Sequence, residues 1–239
     1  QEFARIDGEG AVAFDQVSRL CSLIGGTDGR GDWGACDPNE PRNRRTRSSI
    51  LIEGDQGQRL LVDAGPDMRA QFLAAGIGAV EAILFTHHHA DHTGGVAELC
   101  DWIVRQSSAK PAIVYGPSSE AISGVTHSLS GGESLRFGGQ PVDVLSVPGH
   151  TRGHLAYVAG ATTSTPALFC GDLLFGLGCG RLFEGSPEQM WDSLNRIAAW
   201  PETTTLYCAH EYTASNARFA LSLDDRPEMQ AHAEAVFAA

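Results

Sequence analysis

The sequence lacks the features that mark several classes of protein. Its six cysteines are scattered without C-x-x-C pairs, which fits neither a disulfide framework nor a zinc site made of thiolates. The N-terminus has no charged start followed by an apolar segment, and no apolar run reaches the length of a membrane span. We therefore expect a soluble, cytoplasmic protein whose cysteines are reduced.

Positive charge is also scarce. The chain has 17 Lys and Arg residues against 29 Asp and Glu residues, which gives a net charge of −12. This balance argues against general binding to nucleic acid or to a membrane surface. Apolar residues make up 42% of the 239 positions, enough to bury a sizeable core within one globular domain.

A cluster of histidines follows the apolar strand predicted over residues 80–85. His87 and His89 are two residues apart and point the same way in an extended segment, and the following turn can bring Asp91 and His92 beside them. Imidazole and carboxylate suit zinc, with iron or manganese as alternatives, and a ligand set without thiolates is more typical of a catalytic site than of a structural one. A polar surface loop is the competing interpretation, but H-x-H-x-D-H places every ligand type at a usable offset.

Three further polar residues follow apolar strands, where an α/β scaffold presents its ligands. They are His150, Asp172 and His210, and each lies beside small residues that leave room for its side chain to reach a shared pocket. Each alone would more often be a structural polar residue, but with the first motif they make seven ligands for two metals. Asp172 is the natural bridge because a carboxylate has two oxygens.

Strand and helix patterns alternate along the chain and predict the fold class. The pattern of strands, helix, strand, helix, further strands and final helices indicates an α/β protein, an αβ/βα four-layer sandwich of two mixed sheets with external helices. Ser186 and Gln189 form a capping box at the start of the helix predicted over residues 187–200. An opening strand is predicted over residues 11–24, followed by a long polar loop that carries several arginines up to residue 47.

The histidine motif and the later His, Asp and His resemble the metallo-β-lactamase superfamily over nearly the whole chain. Within residues 82–224 the segments T-H-H-H, P-G-H-T-R-G-H, G-D-L-L-F, G-C-G-R and H-E-Y-T resemble glyoxalase II, the hydroxyacylglutathione hydrolase. The resemblance implies the metallo-β-lactamase fold and two metal sites bridged by Asp172. By position, one metal takes His87, His89 and His150, and the other takes Asp91, His92 and His210.

The resemblance also implies an activity. A dinuclear metal-dependent hydrolase of this type cleaves a small-molecule substrate, a thioester, with a metal-bridging hydroxide, and Asp91 and Asp172 would be its catalytic residues. Two zinc-like cations lower the pKa of water from about 16 to about 7, so no side-chain nucleophile is required. Arg181 and Tyr212 map onto the glutathione contacts of the family, whereas Phe183 stands where the family usually has a tyrosine.

Domain organisation follows from the same resemblance. We expect the hydrolase domain over residues 1–224 and a C-terminal helix over residues 225–239, the remnant of a substrate-binding helical region. His88 and His154 are interpreted as groups that support the metal ligands.

The first third of the chain departs from glyoxalase II. The segments G-D-W-G-A-C-D-P, P-R-N-R-R and L-V-D-A-G-P-D resemble the phosphodiesterase branch of the same superfamily. This resemblance predicts a loop over residues 42–47 in which Arg44 and Arg45 hold phosphate, with a solvated charge run as the alternative. Resemblance to two branches of the superfamily in one chain indicates a recombined or engineered protein, with a natural divergent member as the alternative. A phosphodiesterase and an inactive metal-binding scaffold are the competing functions.

Overall fold

A computed structural model describes residues 4–5, 39, 47, 49–54, 57–106 and 111–238. The strand predicted over residues 11–24 lies outside these residues, as do Arg44 and Arg45. The described strands are β1 (Ala4–Arg5), β2 (Ile50–Glu53), β3 (Arg59–Val62), β4 (Ala82–Leu84), β5 (Ile113–Pro117), β6 (His127–Leu129), β7 (Ser134–Phe137), β8 (Gln140–Ser146), β9 (Leu155–Ala159), β10 (Ala167–Gly171), β11 (Leu174–Phe175), β12 (Gly178–Cys179) and β13 (Thr205–Cys208). The described helices are α1 (Met68–Ala75), α2 (Ala90–Thr93), α3 (Val96–Gln106), α4 (Pro187–Ala198), α5 (Thr213–Leu223) and α6 (Pro227–Ala238).

The described strands form two mixed sheets and a small ribbon. The first sheet has six strands in the order β1-β2-β3-β4-β5-β6, and β3 to β6 run parallel to one another. The second sheet has five strands in the order β13-β10-β9-β8-β7, where β13 and β10 are parallel and the remaining neighbours antiparallel. Strands β11 and β12 pair separately. The parallel strands deliver their C-terminal ends to one edge of each sheet.

Buried side chains on both faces of each sheet define four layers. On β3, Leu60 and Val62 face the second sheet, where they share a core with Tyr157 and Phe169. The intervening Leu61 faces outward, because side chains alternate along a strand, and it packs in the core formed with α1 and α3. A third core joins β9 and β10 to α4. The helix–sheet–sheet–helix order confirms the predicted αβ/βα sandwich.

Helix α4 begins as the sequence predicts. Ser186 accepts a hydrogen bond from the Gln189 backbone N–H at 3.3 Å, and the Gln189 side chain accepts one from the Ser186 backbone N–H at 2.9 Å. This capping box satisfies two donors that the first turn leaves unpaired, which fixes where the helix starts. Met190 and Ile197 on the inner face of α4 then pack on the second sheet.

The C-terminal part of the chain consists of α5 and α6, which pack against each other. The Arg218 guanidinium lies 5.4 Å from the centre of the Phe237 ring and links the two helices. The helix predicted over residues 225–239 is therefore present as α6, and its origin as a remnant of a helical region stays a prediction. None of the described helices is both long and apolar enough to cross a membrane.

Candidate active site

The structure brings all seven predicted ligands together at the edge where strands end. His87 and His89 follow β4, and Asp91 and His92 lie in the short helix α2. His150 lies in the loop between β8 and β9. Asp172 comes directly after β10, and His210 lies just beyond the end of β13.

Three histidines form the first group, the His87 trio. One ligand atom each from His87, His89 and His150 lies within 4.8 Å of the others. His150 Nε2 is 3.1 Å from His89 Nδ1, and the His87 ring meets both neighbouring rings edge to face. Three imidazole nitrogens converging on one point form the ligand pattern of a catalytic zinc site.

The second group, the His210 trio, contains Asp91, His92 and His210, whose ligand atoms also lie within 4.8 Å of one another. Asp172 lies between the two trios. Its Oδ1 is 3.3 Å from His210 Nε2 and 3.5 Å from His92 Nε2, whereas its Oδ2 is 3.4 Å from His150 Nε2. One carboxylate oxygen therefore faces each trio.

Several atoms in this cluster are buried without a hydrogen-bond partner among the described residues. They include Nε2 of His87, Nε2 of His92 and Oδ1 of Asp172. A buried polar atom left unsatisfied costs about 1–3 kcal/mol, and a bound cation that accepts their lone pairs would satisfy these atoms together. The donor set of imidazole nitrogens and carboxylate oxygens fits divalent cations of the zinc, iron or manganese type.

The electrostatics of the cluster favour a negatively charged carboxylate and a positively charged imidazole side by side. Burial opposes ionisation of Asp172, yet its pKa lies well below the ordinary value because the neighbouring His210 and His92 stabilise the carboxylate. Burial likewise opposes the charged form of His210, but Asp172 and Asp91 raise its pKa to about 10. His87 behaves differently, because burial and the surrounding histidines lower its pKa well below the ordinary value.

Asp63 accepts hydrogen bonds both from Thr86, just after β4, and from the candidate ligand His92. The sequence analysis did not predict this role. Its carboxylate accepts hydrogen bonds from the Thr86 backbone N–H at 2.9 Å, the Thr86 hydroxyl at 2.9 Å and His92 Nδ1 at 2.8 Å. Asp63 has a φ of 59°, an uncommon backbone conformation that directs this side chain into the site. A sequence signal existed, because Asp63 follows an apolar strand as the ligands do.

His154 contacts the backbone of Asp172 and the ring of His87. The Asp172 backbone N–H donates to His154 Nε2 at 3.2 Å, and the His154 ring stacks on the His87 ring at 4.9 Å. Burial lowers the pKa of His154 to about 3, so it stays neutral and can accept this bond. Gly171, at a φ of 50°, allows the contact, because an added Cβ would lie 2.9 Å from His154 Cε1.

The predicted substrate contacts lie at the rim of the cluster. The Tyr212 ring stacks on the His210 ring at 5.4 Å. The Arg181 carbonyl accepts from His150 Nδ1 at 2.7 Å, and its guanidinium lies 5.2 Å from the Phe183 ring centre. Phe183 is 58% exposed and meets His89 edge to face. Arg181 and Phe183 therefore lie beside the His87 trio, and Tyr212 lies beside the His210 trio.

The arginine-bearing loop reaches the described residues at Arg47. The guanidinium and backbone N–H of Arg47 both donate to Asp67, at 3.0 and 2.8 Å. Gln71 on α1 donates to the Arg47 carbonyl at 2.7 Å. Arg47 therefore fastens the end of the loop to α1, and phosphate binding by Arg44 and Arg45 stays a prediction.

Comparison with known proteins identifies the family of this chain and several relatives. The family model described as Metallo-beta-lactamase superfamily matches residues 42–210, a span that includes all seven candidate ligands. The hydroxyacylglutathione hydrolase of Shewanella sp. (strain ANA-3) is 47% identical over 191 residues, covering 77% of this chain and 69% of the relative. The hydroxyacylglutathione hydrolase of Dechloromonas aromatica (strain RCB) is 53% identical over 173 residues, covering 71% of this chain and 60% of the relative.

Among solved structures, TTHA1623 in a di-iron-bound form is similar. It is 29% identical, with a TM-score of 0.53, and the match covers 69% of this chain and 87% of that one. The chain spans roughly three fifths to two thirds of the length of the curated relatives that it matches. The four-layer fold, the ligand cluster at the strand ends and the match over residues 42–210 together show that the chain belongs to the metallo-beta-lactamase superfamily.

Proposed function

We propose that the chain is a thioester hydrolase of glyoxalase II type with two divalent metal ions. The observation that carries the proposal is the position of Asp172, which turns one oxygen toward each trio. Similarity to hydroxyacylglutathione hydrolases supports a thioester formed by a hydroxyacyl group and the glutathione sulfur. Zinc suits the donor set best, and iron is the principal alternative because TTHA1623 was solved in a di-iron-bound form.

The surrounding hydrogen bonds select the tautomer of three of the candidate ligand histidines. His92 Nδ1 donates to Asp63, and His150 Nδ1 donates to the Arg181 carbonyl. The Thr86 hydroxyl donates to Asp63 and can accept from His87 Nδ1 at 3.0 Å. Each of these rings therefore directs the lone pair of Nε2 into the site, as a metal ligand requires.

The proposed chemistry uses these ligands in a defined way. Divalent cations held here would supply a hydroxide at neutral pH and polarise the thioester carbonyl. Asp172 would be shared by the two trios and hold them at a fixed separation. Asp91 Oδ2 lies 3.5 Å from His210 Nε2 on a side chain that is 22% exposed, and it would orient an attacking water from the open side.

The rim residues are proposed to bind the glutathione part of the substrate. Arg181 offers a guanidinium for a glutathione carboxylate, and Tyr212 offers a hydroxyl next to the His210 trio. Phe183 supplies an apolar surface but no hydrogen-bond donor. We therefore propose that this chain binds glutathione thioesters more weakly than a relative with a tyrosine at this position.

An activity panel tests the proposed function. The zinc-loaded protein should hydrolyse a hydroxyacylglutathione thioester, and a chelator should abolish the reaction. An aryl phosphodiester serves as the second substrate. Faster hydrolysis of the phosphodiester would favour the competing phosphodiesterase, and no turnover of either substrate by fully loaded protein would favour an inactive scaffold. Neither competing function nor a recombined origin gains support from the reported relatives, which are hydroxyacylglutathione hydrolases.

Replacing Phe183 with tyrosine tests the rim contact. The added hydroxyl should lower KM for a glutathione thioester by about 2- to 10-fold, because one net hydrogen bond contributes about 0.5–1.5 kcal/mol. The value of kcat should stay within two-fold of the parent, since the contact is made equally in ground and transition states. Phe219→Tyr on α5, where the phenylalanine is 64% exposed, is the matched control. An unchanged KM in Phe183→Tyr would show that position 183 does not contact the glutathione part.

A further inference from the structure

The side chain of Glu120 lies almost fully buried outside the seven ligands, and the proposed chemistry gives it no role. Glu120 follows β5 in a polar turn, yet its side chain is 3% exposed. Oε1 accepts hydrogen bonds from the Thr151 hydroxyl and, at 2.9 Å, from the Gly153 backbone N–H. Oε2 lies 3.0 Å from His88 Nδ1. A buried carboxylate with three partners is a strong constraint on the segments that provide them.

These partners flank the ligands of the His87 trio. His88 stands between His87 and His89 in the sequence, and Thr151 and Gly153 follow His150 in the loop between β8 and β9. The two segments are far apart along the chain and provide all three members of the trio. One carboxylate therefore connects both segments that must converge for the trio to form.

The contact needs a close approach that Gly153 makes possible. A Cβ added at Gly153 would lie 2.6 Å from Glu120 Cγ, closer than real Cβ contacts allow. On the other side of His88, Nε2 lies 3.4 Å from Glu184 Oε1, and Glu184 Oε2 accepts from the Arg152 backbone N–H at 3.2 Å. Glu184 thus connects His88 to the same loop a second time.

We propose that Glu120 is a positioning residue that sets the geometry of the His87 trio and so the affinity of one of the two metal sites. The inference rests on the proposed dinuclear site. His88, Glu120 and Glu184 could also hold a cation as a group. The hydrogen bonds favour the positioning role, because both oxygens of Glu120 and Nδ1 of His88 already have partners that a cation would have to displace.

Glu120→Gln and Glu120→Ala separate the two connections. The glutamine retains an oxygen for Thr151 and Gly153 but puts an NH₂ group where His88 Nδ1 now donates, whereas the alanine removes every contact. In a zinc competition titration, Glu120→Gln should weaken one of two equivalents by about 10-fold and Glu120→Ala by about 100-fold, the range typical of groups that orient metal ligands. The other equivalent should keep the parent affinity.

Glu133→Gln is the matched control. The Glu133 carboxylate accepts from the backbone N–H groups of Ser130 and Gly131, both at 2.7 Å, and contacts no candidate ligand. Both zinc equivalents should bind this control as they bind the parent. If Glu120→Gln and Glu133→Gln gave the same zinc titration, the proposed role of Glu120 would be wrong.

Combined variants locate the effect. Glu120→Gln should have no further effect on zinc binding in a His150→Ala background, where the His87 trio is already incomplete, but should retain its full effect in a His210→Ala background. Equal effects in both backgrounds would show a general loss of structure and overturn the inference. Should Glu120→Gln fail to fold, His88→Gln interrupts the same network at a side chain that is 33% exposed, and the same pattern is expected.

The number of zinc equivalents that the parent protein binds distinguishes a failure of this inference from a failure of the proposed function. Two zinc equivalents in the parent and an unaltered titration in the Glu120 variants would overturn the role of Glu120 alone. Less than one equivalent in the parent after loading would overturn the metal centre itself. A third equivalent that Glu120→Gln removes would identify His88, Glu120 and Glu184 as a cation site instead.

Discussion

Replacing Asp172 with alanine is expected to lower kcat/KM for a glutathione thioester by about 1,000-fold. The reason is that Asp172 is shared by both trios, and metal-assisted charge stabilisation contributes several kcal/mol to the transition state, where each 1.4 kcal/mol is about 10-fold in rate. Its carboxylate lies 3.3–3.5 Å from ring nitrogens of both groups, so its loss disturbs the two together. Steady-state kinetics with parallel metal analysis measure the effect.

Two further variants test whether the loss of activity comes from the charge of Asp172: Asp172→Asn and the control Asp192→Ala. Asp172→Asn keeps the shape of the side chain but removes its charge, and it should lose nearly as much activity if the carboxylate bridges two cations. Asp192→Ala removes an exposed carboxylate from α4 and should behave as the parent. Near-normal activity in Asp172→Ala would show that Asp172 is not the bridge.

Metal removal should lower the melting temperature of the protein by about 10 °C. A ligand that binds the folded state alone stabilises it by about 4 kcal/mol at 1,000 times its Kd, and each kcal/mol shifts the melting temperature of a chain this long by about 2–4 °C. Without cations, the inward-facing atoms of His87, His92 and Asp172 also stay unsatisfied. Differential scanning calorimetry before and after dialysis against a chelator gives the shift, and thioesterase activity should fall below detection.

Reversibility is the control for metal removal. Zinc added after dialysis should restore both the melting temperature and the activity, and a chelator already saturated with zinc should change neither. An unchanged melting temperature in fully metal-free protein would show that the cluster contributes nothing to stability through metal binding. Stability would then come from the sandwich core alone.

Much of the site could be predicted from the sequence because its signals are local. An apolar run followed by His87, His89, Asp91 and His92 identifies both a strand and what its end presents, and the spacing alone allows convergence. The later ligands carry the same signal, an apolar strand that ends in a polar residue beside glycine or alanine. The layer order could be predicted for a related reason, because strand and helix patterns are properties of neighbouring residues.

The sequence predicted His88 and His154 as supporting groups, but it could not show that Asp63 and Glu120 also support the candidate ligands. Asp63 meets His92 across 29 positions of chain, and Glu120 meets His88 across 32. A glutamate in the polar turn after β5 looks like any exposed surface residue, because a sequence pattern does not report which distant segment will cover it. Its burial exists only once the loop after β8 folds over that turn.

The chain by itself therefore determined the types and the order of the candidate ligands, and the sandwich that brings strand ends to one edge. The tertiary structure decided how the ligands are aimed: it turns one oxygen of Asp172 to each trio and directs Nε2 of His92 and His150 inward through the partners of their Nδ1 atoms. The physical reason is the distance along the chain over which each interaction acts. Strand and helix propensity act between near neighbours, whereas the direction of a buried hydrogen bond depends on groups that only folding brings together.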